Sequence, residues 1–341
     1  MSINVGVIGM GMMGGTHLDV YQQLDGVRVV AVADRNADKR SGQTQAAGNI
    51  EGQAQGGFDF DSVKQYATAA ELIADPEVAL IDVCVPTAGH LETGLKALAS
   101  GKHVLIEKPL ARTADQAAEL VAAAERSDGL AICGMCMRFW PGWTWLKQVV
   151  DDQRFGRVLG ATFRRLSEHP GGKAYLDGDA CGGGILDLHL HDTDFIHHCF
   201  GLPQAVTTTG YTKETNQPDH VVTQYHYDNI PLVVAEGGWS MAKGFGFQMH
   251  YAVNFERATA VFNLAEESPL TLYEPGEDPR KIELDPGMGY LHEIAYFLDC
   301  IRENRAPQRV TLAQAAASVR LIEAEARSMQ TGSRVAFDSA T

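Results

Sequence analysis

The sequence predicts an α/β fold in two parts: a doubly wound parallel sheet, then an α+β part with a largely antiparallel sheet. In the first third of the 341 residues, short β-branched runs alternate with helical segments. This is the pattern of parallel strands joined by crossover helices. After about Gly134, strand follows strand with few helices between them, as in an antiparallel sheet. We therefore predict domains at 1–134 and 135–341, with the terminal helix or strand able to pack back on the first.

Each element of the first part follows from local periodicity and from Gly or Pro at its ends. The run over 79–85 is apolar nearly throughout, which is typical of a strand buried on both faces. Residues 48–60 are rich in Gly and Gln and are predicted to form a surface loop. Predicted strands lie at 3–8, 27–33, 79–85, 103–106 and 130–133, and helices at 13–24, 37–47, 90–100 and 114–126.

The second part shows the alternation of strands that have one face buried. Two longer segments near the C-terminus have helical periodicity. Predicted strands lie at 158–166, 205–210, 220–227, 232–239, 249–254 and 259–264, and helices at 290–302 and 312–330.

Charge and composition exclude several classes of function. The formal net charge of −15 disfavours a nucleic-acid partner, because an acidic surface repels phosphate. The first residues lack the pattern of a secretion signal, and no run reaches the ~18 apolar residues of a membrane span. We expect a cytoplasmic protein without a membrane partner, whose six cysteines are reduced thiols. The Cys133-x-x-Cys136 pair has no second pair with which to complete a zinc site.

Three glycines directly follow the first predicted strand. Gly9, Gly11 and Gly14 form a GxGxxG that opens the first predicted helix, with Met12 and Met13 inside it. The first glycine permits a tight turn, the second lets the backbone approach a pyrophosphate, and the third lets helix pack on strand. The motif predicts a dinucleotide-binding Rossmann domain, with the diphosphate at the helix N-terminus.

An acidic residue ends the second predicted strand, about 20 residues beyond the glycines. The carboxylate of Asp34 can accept hydrogen bonds from both ribose hydroxyls and would repel a 2′-phosphate, which predicts NAD. The guanidinium of the neighbouring Arg35 can pair with a phosphate, so NADP is the alternative.

Two further segments carry residues suited to alcohol oxidation. Lys108 follows the strand over 103–106, and ligands of open α/β sheets bind at the carboxyl ends of strands. Asp187 and His191 are four residues apart and would share one face of a helix. Histidine titrates near neutral pH and is suited to be the base, while a lysine stabilises developing alkoxide charge.

The chain resembles the Gfo/Idh/MocA family of sugar and polyol oxidoreductases, which includes inositol dehydrogenases. Besides the glycine motif, the resemblance lies in PTAGH at 86–90, GKHVLIEKP at 101–109, GGGILDLHLHD at 182–192 and GSRVAF at 332–337. It implies a second domain with an open-faced mixed sheet for substrate binding and oligomerisation, as a homodimer or homotetramer. The family's Pro-Asn appears here as Pro86-Thr87, which puts the asparagine's contact with the cofactor in doubt.

The resemblance also implies roles for individual residues. Lys108 would hydrogen-bond the reacting substrate oxygen, and Asp187 with His191 would relay the proton. Arg138 would join Lys108 and His191 in binding a polyol or sugar, with an ion pair as its alternative role. The predicted cofactor contacts are Gly9, Gly11, Met12, Met13, Gly14, Asp34, Arg35, Pro86, Thr87, His90, Glu107 and Lys108.

Two other functions compete with the dehydrogenase. His189, His191 and Asp192 have the spacing of a metal-dependent hydrolase, although the glycine motif is foreign to such enzymes. A non-catalytic member that senses the cofactor is the second rival, and retention of Lys108, Asp187 and His191 argues against it. We give His189 no catalytic role and predict no metal. The aromatic set Trp140, Trp143 and Trp145 fits either sugar stacking or packing.

Overall fold

The computed structural model describes residues 2–44 and 57–337, apart from the side chain of Lys173. Most of the loop predicted at 48–60, and the last residues of the helix predicted at 37–47, lie outside the described residues. The chain forms two compact units. The first runs to Cys136 and also includes Gly289–Ala317, and the second comprises Met137–Met288 and the residues from Ser318 onward. The sequence interpretation, by contrast, placed one boundary after Gly134.

The first 136 residues alternate strands and helices, as the sequence predicts. Short 3-10 turns at Phe60–Ser62 and Thr87–Gly89 join some of them. The elements are β1 (Ile3–Ile8), α1 (Met12–Gln23), β2 (Val27–Ala33), α2 (Ala37–Arg40), β3 (Lys64–Tyr66), α3 (Ala69–Ala74), β4 (Leu80–Val83), α4 (His90–Ala99), β5 (His103–Glu107), α5 (Ala114–Ala124) and β6 (Ala131–Gly134).

The rest of the chain is rich in strands. A 3-10 turn at Cys136–Phe139 precedes it, and a π-helical turn at Ile185–His189 interrupts it. The elements are α6 (Pro141–Asp151), β7 (Val158–Glu168), α7 (Lys173–Leu176), α8 (Gly178–Cys181), α9 (Leu190–Phe200), β8 (Ala205–Tyr211), β9 (His220–His226), β10 (Leu232–Met241), β11 (Phe247–Phe255), β12 (Thr259–Asn263), β13 (Leu270–Tyr273), β14 (Arg280–Lys281), α10 (Gly289–Arg302), α11 (Leu312–Thr331) and β15 (Val335–Ala336).

The sheet of the first unit is parallel throughout the described residues. Its strand order is β3-β2-β1-β4-β5-β6, which is the doubly wound order of dinucleotide-binding domains. The order reverses between β1 and β4, and in such sheets ligands bind at this switch point, beyond the carboxyl ends of the strands. The predicted α/β fold with a Rossmann sheet is therefore confirmed.

The helix α10 belongs to the first unit although it lies 150 residues further along the chain. It packs against α1, and the rings of His17 and Tyr290 lie 6.4 Å apart. Its buried face includes Ile294, Phe297 and Leu298, which it could not bury alone. The first unit is therefore discontinuous in sequence.

The second unit contains a mixed sheet with the order β14-β13-β12-β11-β7-β10-β9-β8-β15 among its described strands. The central pair β7 and β10 is parallel, and the other pairs are antiparallel. Alternate residues of these strands are buried, as expected for a sheet with one covered face. The prediction of a second, mixed sheet is confirmed.

Some elements escaped the sequence interpretation. The helix α6 has Pro141 in its first turn, where the fixed φ of proline suits a helix start. Its buried residues Trp143, Leu146 and Val149 recur every three residues. Trp143 is completely buried, in edge-on contact with Phe195 and Phe262. Packing on the second sheet thus fixes a helix that the local Trp-Pro-Gly-Trp sequence obscures.

The structure describes all six cysteines and the helices that were examined for membrane-spanning character. All six cysteines lie in described residues, and each is a free, buried thiol, as predicted. In the described parts of the chain, no helix combines the length and the apolar character required to cross a bilayer.

Candidate active site

The glycine turn joins β1 to α1 in the first unit. Gly9 has a φ of +99°, a conformation that favours glycine, and its N–H donates to the carbonyl of Ala33 at 2.8 Å. A Cβ at Gly9 would lie 2.6 Å from the carbonyl oxygen of Cys84. The first glycine therefore lets the turn pass directly against the end of β4.

The other two glycines of the motif serve different needs. A Cβ at Gly14 would collide with the carbonyl oxygen of Gly9, so only glycine lets α1 approach the turn. A Cβ at Gly11 would meet no atom of the described residues within 4 Å. Gly11 also begins α1 without a side chain that could cap it. This open helix N-terminus fits a pyrophosphate, which is the expected occupant of such a turn.

Asp34 lies beside the turn, at the end of β2. One carboxylate oxygen accepts a hydrogen bond from the N–H of Met10 at 2.9 Å, and the other accepts from the N–H of Asn36 at 2.8 Å. The side chain is half-buried and thus held in a fixed orientation next to the glycines. Each oxygen can accept further hydrogen bonds, so the carboxylate suits the two ribose hydroxyls of NAD. Arg35 is exposed at the same end of the strand.

Lys108 directly follows β5 and is half-buried. The preceding Glu107 is buried, and one of its oxygens accepts the N–H of Lys108 at 3.0 Å. His90 begins α4, with its ring nitrogens 2.6 Å from the carbonyl oxygen of Pro109 and 2.8 Å from that of Val85. His90 therefore ties the segment after β4 to the segment after β5. The cofactor contacts expected of Glu107, His90, Pro86 and Thr87 stay predictions.

A buried polar network, which the sequence interpretation missed, lies behind these strand ends. Nδ1 of His17 lies 2.8 Å from Asp82, its Nε2 lies 3.2 Å from Glu107, and Tyr21 donates to Asp82 at 2.9 Å. Burial opposes the charge of the His17 imidazole, but the Asp82 carboxylate outweighs it, and the pKa of His17 lies well above its ordinary value. The His17 ring lies between the side chains of Asp82 and Glu107 and therefore connects α1, β4 and β5.

His17, Asp82 and Cys84 also form the one group in the described residues whose side-chain atoms lie close enough to share a metal ion. Burial, followed by the negative charge of Asp82, raises the pKa of the Cys84 thiol above its usual range. Asp82 already accepts hydrogen bonds from Tyr21 and Cys84. We therefore describe the group as a hydrogen-bonded network.

In the second unit, three glycines lead into the segment that carries the predicted dyad. Gly182 and Gly183 have φ values of +90° and +74°. A Cβ at Gly183 would lie 2.9 Å from the carbonyl oxygen of Pro218, and one at Gly184 would collide with the carbonyl oxygen of Asp219. The glycines thus let the chain turn against the loop before β9.

Asp187 and His191 follow, but not on one continuous α-helix as predicted. Asp187 lies in the π-helical turn Ile185–His189, and His191 lies in the first turn of α9. From Cys181 to Ile196, where every residue is described, only Asp187 and His191 are partly exposed. Single π turns occur frequently at functional sites. The local backbone therefore presents these two side chains to solvent and buries their neighbours.

Three consecutive buried polar residues hold α9 in place. Asp192 forms a two-pronged ion pair with Arg165 of β7 at 3.1 and 2.9 Å. The Thr193 hydroxyl donates to Glu325 of α11 at 3.0 Å and lies 2.8 Å from the hydroxyl of Tyr225 on β9. Asp194 accepts hydrogen bonds from Nε and Nη2 of Arg138 at 2.8 and 2.7 Å. Such two-pronged arginine–carboxylate pairs are geometrically specific, so the orientation of the helix that carries His191 is well defined.

The remaining predicted residues have identifiable surroundings. Arg138 is completely buried and paired with Asp194, which favours the ion pair that was its alternative role. In the proposed metal set, Asp192 is engaged by Arg165, and His189 lies 2.9 Å from Glu325. Trp140 and Trp143 are buried and Trp145 is half-buried, which suits packing.

Comparison with protein families matches both units. The model described as "Oxidoreductase family, NAD-binding Rossmann fold" matches residues 3–135, and the model of the "GFO/IDH/MocA C-terminal domain" matches residues 143–261. The chain belongs to this family. The predicted resemblance and the predicted NAD-binding domain are thus confirmed.

Individual relatives share about 30% of their residues with this chain over the aligned parts. Inositol 2-dehydrogenase 2 of Saccharopolyspora erythraea is 30% identical over 230 residues, 66% of this chain and 62% of that protein. The trans-1,2-dihydrobenzene-1,2-diol dehydrogenase of Mus musculus is 29% identical over 235 residues, 67% of this chain and 66% of that protein. The chain therefore spans less than two thirds of the length of these curated relatives.

A solved structure matches nearly the whole chain in fold. Levoglucosan dehydrogenase in complex with NADH and levoglucosan superposes with a TM-score of 0.85, over 98% of this chain and 99% of that one. The two sequences are 18% identical, and this likeness shows the fold alone.

Proposed function

We propose that the protein is an NAD(P)-dependent oxidoreductase that transfers a hydride between nicotinamide and a hydroxyl-bearing carbon of a polyol or sugar. The observation that carries the proposal is the exposure of Asp187 and His191 alone within a buried segment. A segment selected only for packing would have no reason to present an acid and a base together. Membership of an oxidoreductase family with an NAD-binding domain supports the same conclusion.

The residues divide the chemistry of alcohol oxidation among them. NAD, when bound, accepts the hydride from the hydroxyl-bearing carbon. The ammonium of Lys108 stabilises the negative charge that develops on the substrate oxygen. His191 accepts the hydroxyl proton, so that the C–H and O–H bonds break as the carbonyl forms. Asp187 orients the imidazole and stabilises its protonated form, and reduction uses the same groups in reverse.

The substrate class rests on the relatives. Their names point to inositol and to a dihydrobenzenediol, which share a secondary hydroxyl on a six-membered ring. We therefore propose a cyclic polyol or sugar for this chain. NAD is favoured over NADP because of Asp34, and assembly into a homodimer or homotetramer stays a prediction.

Replacing Lys108 tests the mechanism. Lys108→Ala should reduce kcat by about 100-fold or more, since loss of one oxyanion-stabilising donor has an effect of this size. NADH binding, measured by fluorescence titration, should be retained. Lys96→Ala is the matched control, because Lys96 is solvent-exposed and paired with Glu92 at 2.6 Å. Turnover of Lys108→Ala at the level of Lys96→Ala would contradict the proposal.

A substrate panel separates the enzyme from the cofactor-sensing rival. Cyclic polyols and aldoses are mixed with the protein and NAD or NADP, and reduced cofactor is followed by its absorbance. The proposal predicts turnover with at least one ring compound and its loss in His191→Ala. A sensor would bind NADH and turn over none of them.

A further inference from the structure

The carboxylate of Glu325, on α11, is the centre of a buried network in the second unit. Tyr225 and Thr193 each donate to one of its oxygens at 3.0 Å. Thr223 donates to the other oxygen at 2.9 Å, and Nε2 of His189 lies at the same distance from that oxygen. All five residues are essentially inaccessible to solvent. A buried carboxylate is tolerated only with such complete hydrogen bonding.

The two nitrogens of the His189 ring have different surroundings. Nε2 lies 2.9 Å from an oxygen of Glu325, within hydrogen-bonding distance. Among the described residues, none provides a hydrogen bond to the buried Nδ1. The ring is therefore held at one nitrogen by its hydrogen bond with Glu325 and on the other side by packing alone.

The packing partner is the backbone of β10. A Cβ at Gly237 would lie 2.8 Å from Cβ and Cγ of His189 and would collide with Nδ1. A glycine in the middle of a strand weakens it and often marks a close approach of another group. The absence of a side chain at Gly237 leaves room for the His189 ring against β10, and no larger residue fits at 237 without displacing the ring.

His189 lies midway between the two residues of the proposed dyad. It is the last residue of the π-helical turn, two residues after Asp187 and two before His191. Its complete burial contrasts with the partial exposure of both neighbours. If the ring left Glu325, the turn could rotate, and the directions of both exposed side chains would change together.

We propose that His189, held by Glu325 over Gly237, is the positioning residue that fixes the orientation of Asp187 and His191. The effect on catalysis rests on the proposed function. The positioning itself is a property of the backbone and does not depend on that function. Misplacement of a catalytic group by about 1 Å can reduce the rate by on the order of 100-fold. A pair that touches no substrate would thus govern turnover.

Three variants of the full-length protein test the inference. His189→Leu removes the donor to Glu325 from the π turn, and His189→Gln keeps an N–H donor there. Thr223→Val is the matched control, because it removes another donor to the same oxygen of Glu325 from β9, away from the turn. Amide hydrogen exchange over residues 185–191 is measured first, because it needs no substrate. It should become faster in His189→Leu and stay unchanged in Thr223→Val.

Steady-state kinetics follow, with the ring compound that the panel identifies. His189→Leu should reduce kcat by about 10- to 100-fold, leave the KM for NAD unchanged and displace the acid limb of the pH profile. His189→Gln should recover part of kcat. Exchange over 185–191 that is unchanged in His189→Leu, or equally fast in Thr223→Val, would overturn the inference. Full turnover of His191→Ala would instead overturn the proposed function, while the exchange results still decide the positioning.

Discussion

At the scale of single residues, the site is defined by how each side chain is held. Asp34 is fixed by two backbone N–H groups, and Glu107 by the N–H of Lys108. The sequence singled out Asp34 and Lys108 as candidates, because each follows a predicted strand within a short local motif. It could not identify Glu325, since its partners lie about 100 residues or more away in the chain. Asp82 did offer a signal: an acid inside an apolar strand requires a buried partner.

Cofactor preference is a prediction at this scale. Asp34→Asn removes the charge that repels a 2′-phosphate and weakens the acceptors for the ribose hydroxyls. We expect the Kd of NADH to rise by about 10- to 100-fold, because a hydrogen bond to a charged group contributes about 1.5–3 kcal/mol. The Kd of NADPH should fall relative to that of NADH in fluorescence titrations. Asp38→Asn makes the same charge change on the exposed helix α2 and should leave the preference unaltered.

At the scale of elements, the sequence predicts helices and strands well where local signals determine them, and poorly where close contact with distant backbone does. Most strands and helices of the first unit were predicted to within a few residues, because each βα segment is built from local signals. The short elements β3 and α3 were missed, and α2 ends at Arg40, well before the predicted end at residue 47. The π turn was not predictable. It depends on the clearance of Gly237 beneath His189 and on the contact of Gly184 with Asp219, both of which come from distant strands and loops. The sequence predicted that Asp187 and His191 share one face of a helix, and it did not predict the π turn that precedes α9.

The glycine turn permits a paired prediction for an element. Gly14→Ala should lower the free energy of unfolding by about 1–3 kcal/mol, because its Cβ would overlap the Gly9 carbonyl. Gly11→Ala should leave stability nearly unchanged, since its Cβ meets open space, yet weaken NADH binding at the helix N-terminus. Denaturant melts and NADH titrations of both variants check this. Equal loss of stability in the two variants would contradict the distinct roles.

At the scale of the whole molecule, a largely buried histidine makes the free energy of unfolding depend on pH. Burial lowers the pKa of His197 on α9 to about 4, and the positive charges of Arg138 and Arg320 act in the same direction against Asp194. An unfolded histidine has a pKa of about 6.5. Between these values the unfolded chain binds a proton that the folded chain rejects. Stability contributed by the neutral ring is therefore present above pH 6.5 and lost as the pH falls toward 4.

The corresponding prediction compares His197→Gln with the wild type. The wild-type free energy of unfolding should fall relative to the variant by up to about 3 kcal/mol between pH 6.5 and 4. Urea melts at several pH values give the difference directly. Above pH 7 the difference should be constant, because the ring is neutral in both states. A difference that stays constant down to pH 4 would show that His197 does not titrate in this window.

The order in which the chain leaves the ribosome has a consequence for the first unit. Domains generally fold as units during synthesis, the N-terminal one first. Here the unit that carries the glycine turn includes Gly289–Ala317, so it is incomplete until residue 317 of 341 has been made. Residues 137–288 emerge earlier and contain all but one of the described strands of the mixed sheet. A nascent chain therefore has most of the second unit available before α10 can cover its partner α1, and both units are completed only by segments close to the C-terminus.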